Sequence, residues 1–161
     1  KKDGEIITCH WFNTPMFDLS GNVIGMTSVC QDITNQLKTE QALKDNEIKY
    51  RKLFQDSIDG YALADPDTGV IIDCNQALAD IVGRSIEEMI GQHQRILHTQ
   101  SEHEEDFSST FKKHMSDNSG ENLSTQLITK TREIKNVSIR ARVFEVNKKK
   151  IMHGIFRLLD D

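Results

Sequence analysis

Two stretches of alternating apolar and polar residues, one at each end of the chain, constrain its fold more than any other feature. The first runs from Glu5 to Phe12, meets Pro15, turns at Asp18-Leu19-Ser20-Gly21-Asn22 and returns as Val23 to Cys30. A Gly-containing turn between two β-prone runs predicts a hairpin. The second begins at Glu133-Ile134, where Val137, Ile139, Ala141 and Val143 alternate with Ser138, Arg140 and Arg142. That period of two predicts a strand with one buried face and a basic exposed one. The parity flips at Phe144 and Val146 around Glu145, which predicts a bulge. Beyond the polar turn at residues 147–150, Ile151 to Leu159 is apolar at both parities, as in a strand covered on both faces. Both hairpins start with Glu-Ile and carry a Gly early in the second strand, with Gly25 and Gly154 lying 129 residues apart. So long a spacing exceeds any solenoid repeat. It fits tandem domains of about 100 residues each, so residues 1–34 read as the closing hairpin of an incomplete upstream domain. The start at Lys1 rather than Met agrees with that, and Ile6, Trp11 and Val29 are expected to pack on a neighbouring sheet or a second chain.

Between the hairpins, residues 35–54 hold no Gly or Pro and are rich in strong helix formers. Ile33, Leu37, Glu40, Leu43, Glu47, Tyr50 and Phe54 step by three or four. This is a heptad-like seam with two acidic interruptions, which reads either as a solvated surface helix or, in preference, as a helical linker that pairs with a second copy in a parallel dimer. Gly60 to Ala64, the turn Asp65-Pro66-Asp67-Thr68-Gly69 and Val70 to Cys74 predict a hairpin. Asn75 is placed to cap a short helix that Gly83 stops. Ser85-Ile86-Glu87-Glu88 is a capping box for a helix ended by Gly91. Ser101-Glu102-His103-Glu104 reads as another, opening a helix to about Ser116 with His103, Phe107, Phe111 and Met115 along one stripe. A strand over Leu123 to Thr131 precedes the last hairpin. The order predicts an α+β domain over residues 55–161, with an antiparallel sheet and short helices on one side.

Composition excludes several classes. Lys and Arg number 20 against 25 Asp and Glu, a net charge of −5, although residues 130–150 hold eight basic residues against two Glu. An acidic chain is a poor binder of phosphate backbones, so no nucleic-acid partner is expected. No apolar run approaches the roughly 18 residues of a membrane span, so no membrane contact is expected. Cys9, Cys30 and Cys74 form an odd, widely spaced set without a C-x-x-C pair. This argues against a disulfide framework or a zinc knuckle and points to a reducing, cytoplasmic setting.

In this order and spacing the residues resemble the PAS family. Asp32-Ile33-Thr34, the helical linker and Tyr50-Arg51-Lys52-Leu53-Phe54 look like the end of one PAS domain leading through a signalling helix into the next. Lys2-Asp3-Gly4 with Pro15, Asp18, Gly21 and Gly25 is similar to the last two strands of such a domain. Asn75-Gln76-Ala77, Gly83, the segment Glu87 to Gly91 and Leu97-His98 resemble its central helices. The chain departs from the family pattern at its end, where Arg157-Leu158-Leu159-Asp160-Asp161 replaces the Asp-Ile-Thr triplet. The resemblance implies a five-stranded antiparallel sheet that encloses a small-molecule pocket, in a sensory and dimerisation module of a histidine kinase or diguanylate cyclase type of signalling protein. The output domain would lie elsewhere in the polypeptide. A ligand-free structural relay is the competing reading.

For the pocket, Asn75 and His103 are the first polar candidates, followed by Tyr61 and Arg95. Phe107, Phe111, Ile139 and Ile155 are expected to line it, and Leu63, Ile72, Ile81 and Val137 to line it or fill the core. The resemblance also raises haem, since gas-sensing PAS domains supply a proximal His from a late helix, in a context similar to Glu102-His103-Glu104. LOV-type flavin chemistry is disfavoured, because Gln94 stands in Gly91-Gln92-His93-Gln94-Arg95 where that branch has its reactive Cys. His93, His98, His103 and His114 are poorly spaced for one metal on a helix face. No nucleophile elbow, phosphate loop or H-E-x-x-H motif is present, so no catalysis is expected of these residues.

Overall fold

Five strands form the central antiparallel sheet: β3 (Gly60–Ala64), β4 (Ile71–Cys74), β7 (Asn122–Ile128), β8 (Ile134–Val146) and β9 (Lys149–Leu158), in the order β4-β3-β9-β8-β7. A computed structural model describes Lys2, residues 4–99, the backbone of 103–104, and residues 107–117 and 120–159. The chain divides into two compact units, residues 1–50 and 51–161.

The second unit is the α+β domain expected from the sequence. β9 occupies the centre of the sheet, which explains its apolar residues at both parities: Met152, Gly154 and Phe156 are buried on one face, and Ile151, His153 and Ile155 are half-buried on the other. β8 buries Val137, Ile139 and Ala141 and turns Arg140 and Arg142 outward. Its pairing with β9 runs without a register shift from Val137↔Leu158 to Val146↔Lys149, so the expected bulge at residues 144–146 does not form. Phe144 and Val146 are instead 43% and 45% exposed near the tip of the hairpin, where an apolar side chain is not forced to face the core. Asn147 and Lys148 both have positive φ, 50° and 65°, as a two-residue turn matched to strand twist requires.

Short elements cover the buried face. They are α2 (Gln76–Val82), α3 (Ile86–Met89), a 3-10 turn (Gln94–Leu97), the paired dipeptides β5 (His103–Glu104) and β6 (Phe107–Ser108), and α4 (Ser109–Ser116). The capping box of α3 forms as the sequence predicts, with Ser85 Oγ accepting from Glu88 N–H and the Glu88 carboxylate accepting from Ser85 N–H. Gly60 lets β3 approach α2 closely, since a Cβ there would lie 3.1 Å from Leu78 Cα. The late helix is shorter than predicted. It starts at Ser109 with Ser108 as its cap, while the His103–Glu104 backbone pairs with Phe107–Ser108 as a strand. The serines are the physical reason, because a Ser hydroxyl that bonds nearby backbone N–H favours a cap over a helix interior. The capping box proposed at Ser101 and Glu102 lies outside the described residues. The core joins Leu78, Ile81, Val82, Met89, Leu97, Leu127, Val137, Ile139 and Phe156.

The first unit contains the hairpin β1 (Cys9–Phe17) and β2 (Val23–Asp32) and most of α1 (Thr34–Gln55). The hairpin is two-stranded, and Trp11 and Val29 are 59% and 58% exposed. None of the residues of α1 is buried.

Candidate functional site

A cavity of about 40 Å³ lies between the sheet and the short helices, lined by Ala62, Ala64, Ile71, Leu97, Phe111, Ile139, Ala141, Met152, Gly154 and Phe156, with Gln94, His98, Thr110 and His114 as its polar members. Ala62, Ala64, Ala141 and Gly154 make its floor on the sheet, and the space exists because none of them carries more than one side-chain carbon. Such a volume holds about three water-sized groups.

Three segments place the polar rim. Gly69, with φ of +70°, closes the β3–β4 turn so tightly that a Cβ there would strike His93 Nε2 at 2.6 Å. Its carbonyl accepts from Gln94 N–H at 2.8 Å, which fixes the start of the 3-10 turn. Gln94 is 4% exposed. Its Oε1 accepts from Ser108 Oγ at 3.0 Å, while its Nε2 has no hydrogen-bond partner among the described residues. Ser108 Oγ is also 3.3 Å from Thr110 Oγ1 and accepts from Phe111 N–H, so one hydroxyl ties the cavity's amide to the first turn of α4. His114, 2% exposed, is anchored through Nε2 to the Glu121 carbonyl at 3.0 Å. His98 is joined to β7 by an isolated bridge to Leu127. A buried amide with an unused donor is costly unless something accepts from it. The cavity is therefore mostly apolar, with the unpartnered Gln94 amide nitrogen among its few polar groups.

The candidates from the sequence are distributed unevenly around this space. Phe111 and Ile139 line it. Phe107 stacks on Phe111 at 5.3 Å and meets the His93 ring at a tilt at 5.6 Å, outside the cavity lining. Arg95 is half-buried in the 3-10 turn but is not part of the lining. Tyr61 and Ile155 pair across β3 and β9 on the opposite face of the sheet, because side chains alternate and the inner positions go to Ala62 and Gly154. Tyr61 stacks there with Phe54 and meets the His153 ring at a tilt, and burial pushes the His153 imidazole below its ordinary pKa of 6.5. Leu63 and Ile72 share that outer face. Asn75 is fully buried, yet its side chain serves the backbone: Oδ1 accepts from Tyr61 N–H at 2.7 Å and Leu78 N–H at 3.1 Å, and Nδ2 donates to the carbonyls of Phe54 and Asp59 at 3.0 and 2.9 Å. Asp59 also receives the Arg157 guanidinium through two hydrogen bonds of 2.9 and 2.6 Å, which holds its carboxyl below the usual range. The side chain of His103 lies outside the described residues.

Sequence reasoning missed Gln94, His98, Thr110 and His114 as lining residues. Gln94 had a signal, since it occupies the position where the flavin-reactive branch carries its Cys. Haem and flavin do not fit the cavity, because pockets for molecules of that size run to about 300 Å³ or more. Among the described residues, no group of three or more His, Cys, Asp or Glu side chains is placed to hold a metal. No helix among them is long and apolar enough to cross a membrane.

A family model described as the PAS domain matches residues 58–158. Among solved structures, the PAS domain of an HTR-like protein from Haloarcula marismortui is similar with a TM-score of 0.65 at 17% identity, covering 76% of this chain and 98% of its own. A domain of a sensory box sensor histidine kinase/response regulator from Geobacter sulfurreducens gives 0.57 at 20% identity, covering 71% and 96%. The PAS domain, in complex with ethanol, of a LuxR-family transcriptional regulator from Burkholderia thailandensis gives 0.53 at 19%, covering 68% and 96%. At these identities the likeness is one of fold. No curated protein matches the chain.

Proposed function

Because this chain belongs to the PAS domain family, we propose that residues 51–161 form a sensory module that recognises a small molecule in the cavity and relays its presence to an output domain elsewhere in the polypeptide. The observation that carries the reading is the unpartnered Nε2 of buried Gln94 on the wall of a mostly apolar cavity. About three non-hydrogen atoms with one acceptor match that space, which makes a neutral short-chain alcohol, aldehyde or ketone the best-fitting class. A carboxylate would have to give up its hydration against ten apolar residues, which disfavours it. The sensor histidine kinase that contains one similar domain and the ethanol-bound neighbour agree with this reading. Pairing of two chains through α1 would make the module a homodimer, and a cytoplasmic setting suits it.

Nitrogen–proton and carbon–proton NMR of the whole chain, titrated with ethanol and with acetone, test the reading. Expected is a saturating shift of the Gln94 side-chain amide and of the Met152 and Ile139 methyls, abolished in Gln94→Leu. Unchanged cavity resonances at saturating probe would leave the ligand-free relay as the function.

A further inference from the structure

The hairpin of the first unit brings together two thiols that the sequence separates. Cys9 pairs with Asp32 and Trp11 with Cys30 in the β1–β2 register. Cross-strand partners share a face and residues two apart along a strand share it too, so Cys9, Trp11, Cys30 and Asp32 all lie on one side. Cys9 and Cys30 are diagonal neighbours there. Cys30 is exposed and Cys9 half-exposed, whereas the third cysteine, Cys74, is buried in the other unit.

The face matters. Gly25 stands where Gly154 stands in the second hairpin, and it pairs with Met16 as Gly154 pairs with Ala141. Gly154 and Ala141 line the cavity, so the Met16 and Gly25 side corresponds to a core face. The thiols occupy the other side, which in the second hairpin carries Arg140, Arg142 and His153. A sheet laid against the core face would leave the thiols open to solvent.

Their place along the chain gives the pair leverage. Ile33 N–H donates to the Thr8 carbonyl and Thr8 N–H donates to Thr34 Oγ1, one residue before Cys9 and at the first residue of α1. A covalent link between Cys9 and Cys30 would lock the base of the hairpin where the chain passes into the helix.

We propose that Cys9 and Cys30 form a reversible dithiol–disulfide site whose oxidant is a peroxide or a small-molecule disulfide. With hydrogen peroxide, the thiolate of one cysteine attacks an oxygen and releases hydroxide, giving a sulfenic acid. The second thiolate attacks that sulfur and expels the hydroxyl as water. Two thiols and one peroxide thus yield one disulfide and two waters. With a small disulfide, the first attack gives a mixed disulfide and the second releases the remaining thiol. The neighbouring Cys9 side chain, burial and the nearby Asp32 carboxylate raise the Cys30 thiol above its ordinary pKa, so Cys30 rests as a thiol. The diagonal spacing requires the sulfurs to close to about 2.05 Å, a movement a two-stranded hairpin permits.

Trypsin leaves both cysteines in one peptide, residues 3–38, since no Lys or Arg lies between. The full chain is treated with hydrogen peroxide or oxidised glutathione, alkylated after denaturation and mapped by mass spectrometry. Expected is a 3–38 peptide lighter by two hydrogens, with no fragments between positions 9 and 30, restored by dithiothreitol, while Cys74 alone is alkylated. Cys9→Ser and Cys30→Ser each abolish the loss and Cys74→Ser retains it. The link should form at least about tenfold faster in the folded chain than in denaturant, because a held pair exceeds the millimolar effective concentration of a flexible linker. Equal rates in the two states, or oxidation that stops at sulfinic acid on Cys30 or at interchain dimers, would overturn the proposal.

Discussion

Asn75 is the residue on which the second unit turns. One amide serves four backbone groups, from the end of α1, the loop before β3, β3 itself and the first turn of α2. No other side chain type supplies two donors and a shared acceptor in that compass. Asn75→Ala leaves two carbonyls and two N–H groups to find water in a buried site. It is expected to lower the unfolding free energy by about 3 kcal/mol, read from urea midpoints at constant slope. Asn75→Asp keeps the acceptor but turns the donors to Phe54 and Asp59 into repulsive contacts, so it should rescue little. His153 acts in the opposite sense. Burial lowers its pKa in the folded chain below 6.5, so between those values the unfolded chain binds the extra proton. Stability therefore falls as pH drops through 6.5, and the loss levels off below the folded pKa. In His153→Gln the unfolding free energy should slope less over that window, a difference visible in urea midpoints taken from pH 7 downward.

At the scale of elements, what the sequence made legible is what local chemistry decides. The turn at Asp65 to Gly69, the Asn75 cap, the Ser85 capping box and the stop at Gly83 all form where their residues stand, because each depends on partners within a few positions. The inner face of β8 was legible for the same reason, and Ile139 was placed correctly from it. The late helix was not. His103, Phe107, Phe111 and Met115 keep helical spacing, yet Phe107 sits in β6 and reaches Phe111 only because the chain turns at Ser108 into α4. Spacing cannot tell a continued helix from a strand folded onto its start. The cavity's polar wall was equally hidden, since Gln94 meets Thr110 and His114 through the packing of two separate segments, the 3-10 turn and α4, a long-range fact with no periodic trace. The sides of β3 were the last obscurity. Tyr61 and Ala62 are adjacent in sequence, and only the docking of α2 over Gly60 decides which of them faces the cavity.

At the scale of the molecule, burial is confined to one unit. Every buried apolar residue lies between Ala62 and Phe156, so residues 51–161 contain the whole described core together with Phe54 and Gln55, which bond to Asn75 and Gln76. The first unit instead offers α1 with Leu43 and Tyr50 70% and 68% exposed on one heptad-like seam. A helix of 22 residues without a buried side chain gains little from propensity alone in water, and the proposed pairing with a second copy along the seam would give it a partner. Stability and association should therefore separate. A chain trimmed to residues 51–161 is expected to keep the urea midpoint of the core transition, because no core contact is removed, and to run as a monomer in light scattering. The full chain is expected to run as a dimer at the same concentration. Leu43→Arg with Tyr50→Arg in the full chain should reproduce the monomer while leaving that midpoint in place, since both charges fall on exposed positions. A dimer that survives both substitutions would move the interface off the seam, and a trimmed chain that unfolds would show that residues 1–50 contribute to the core.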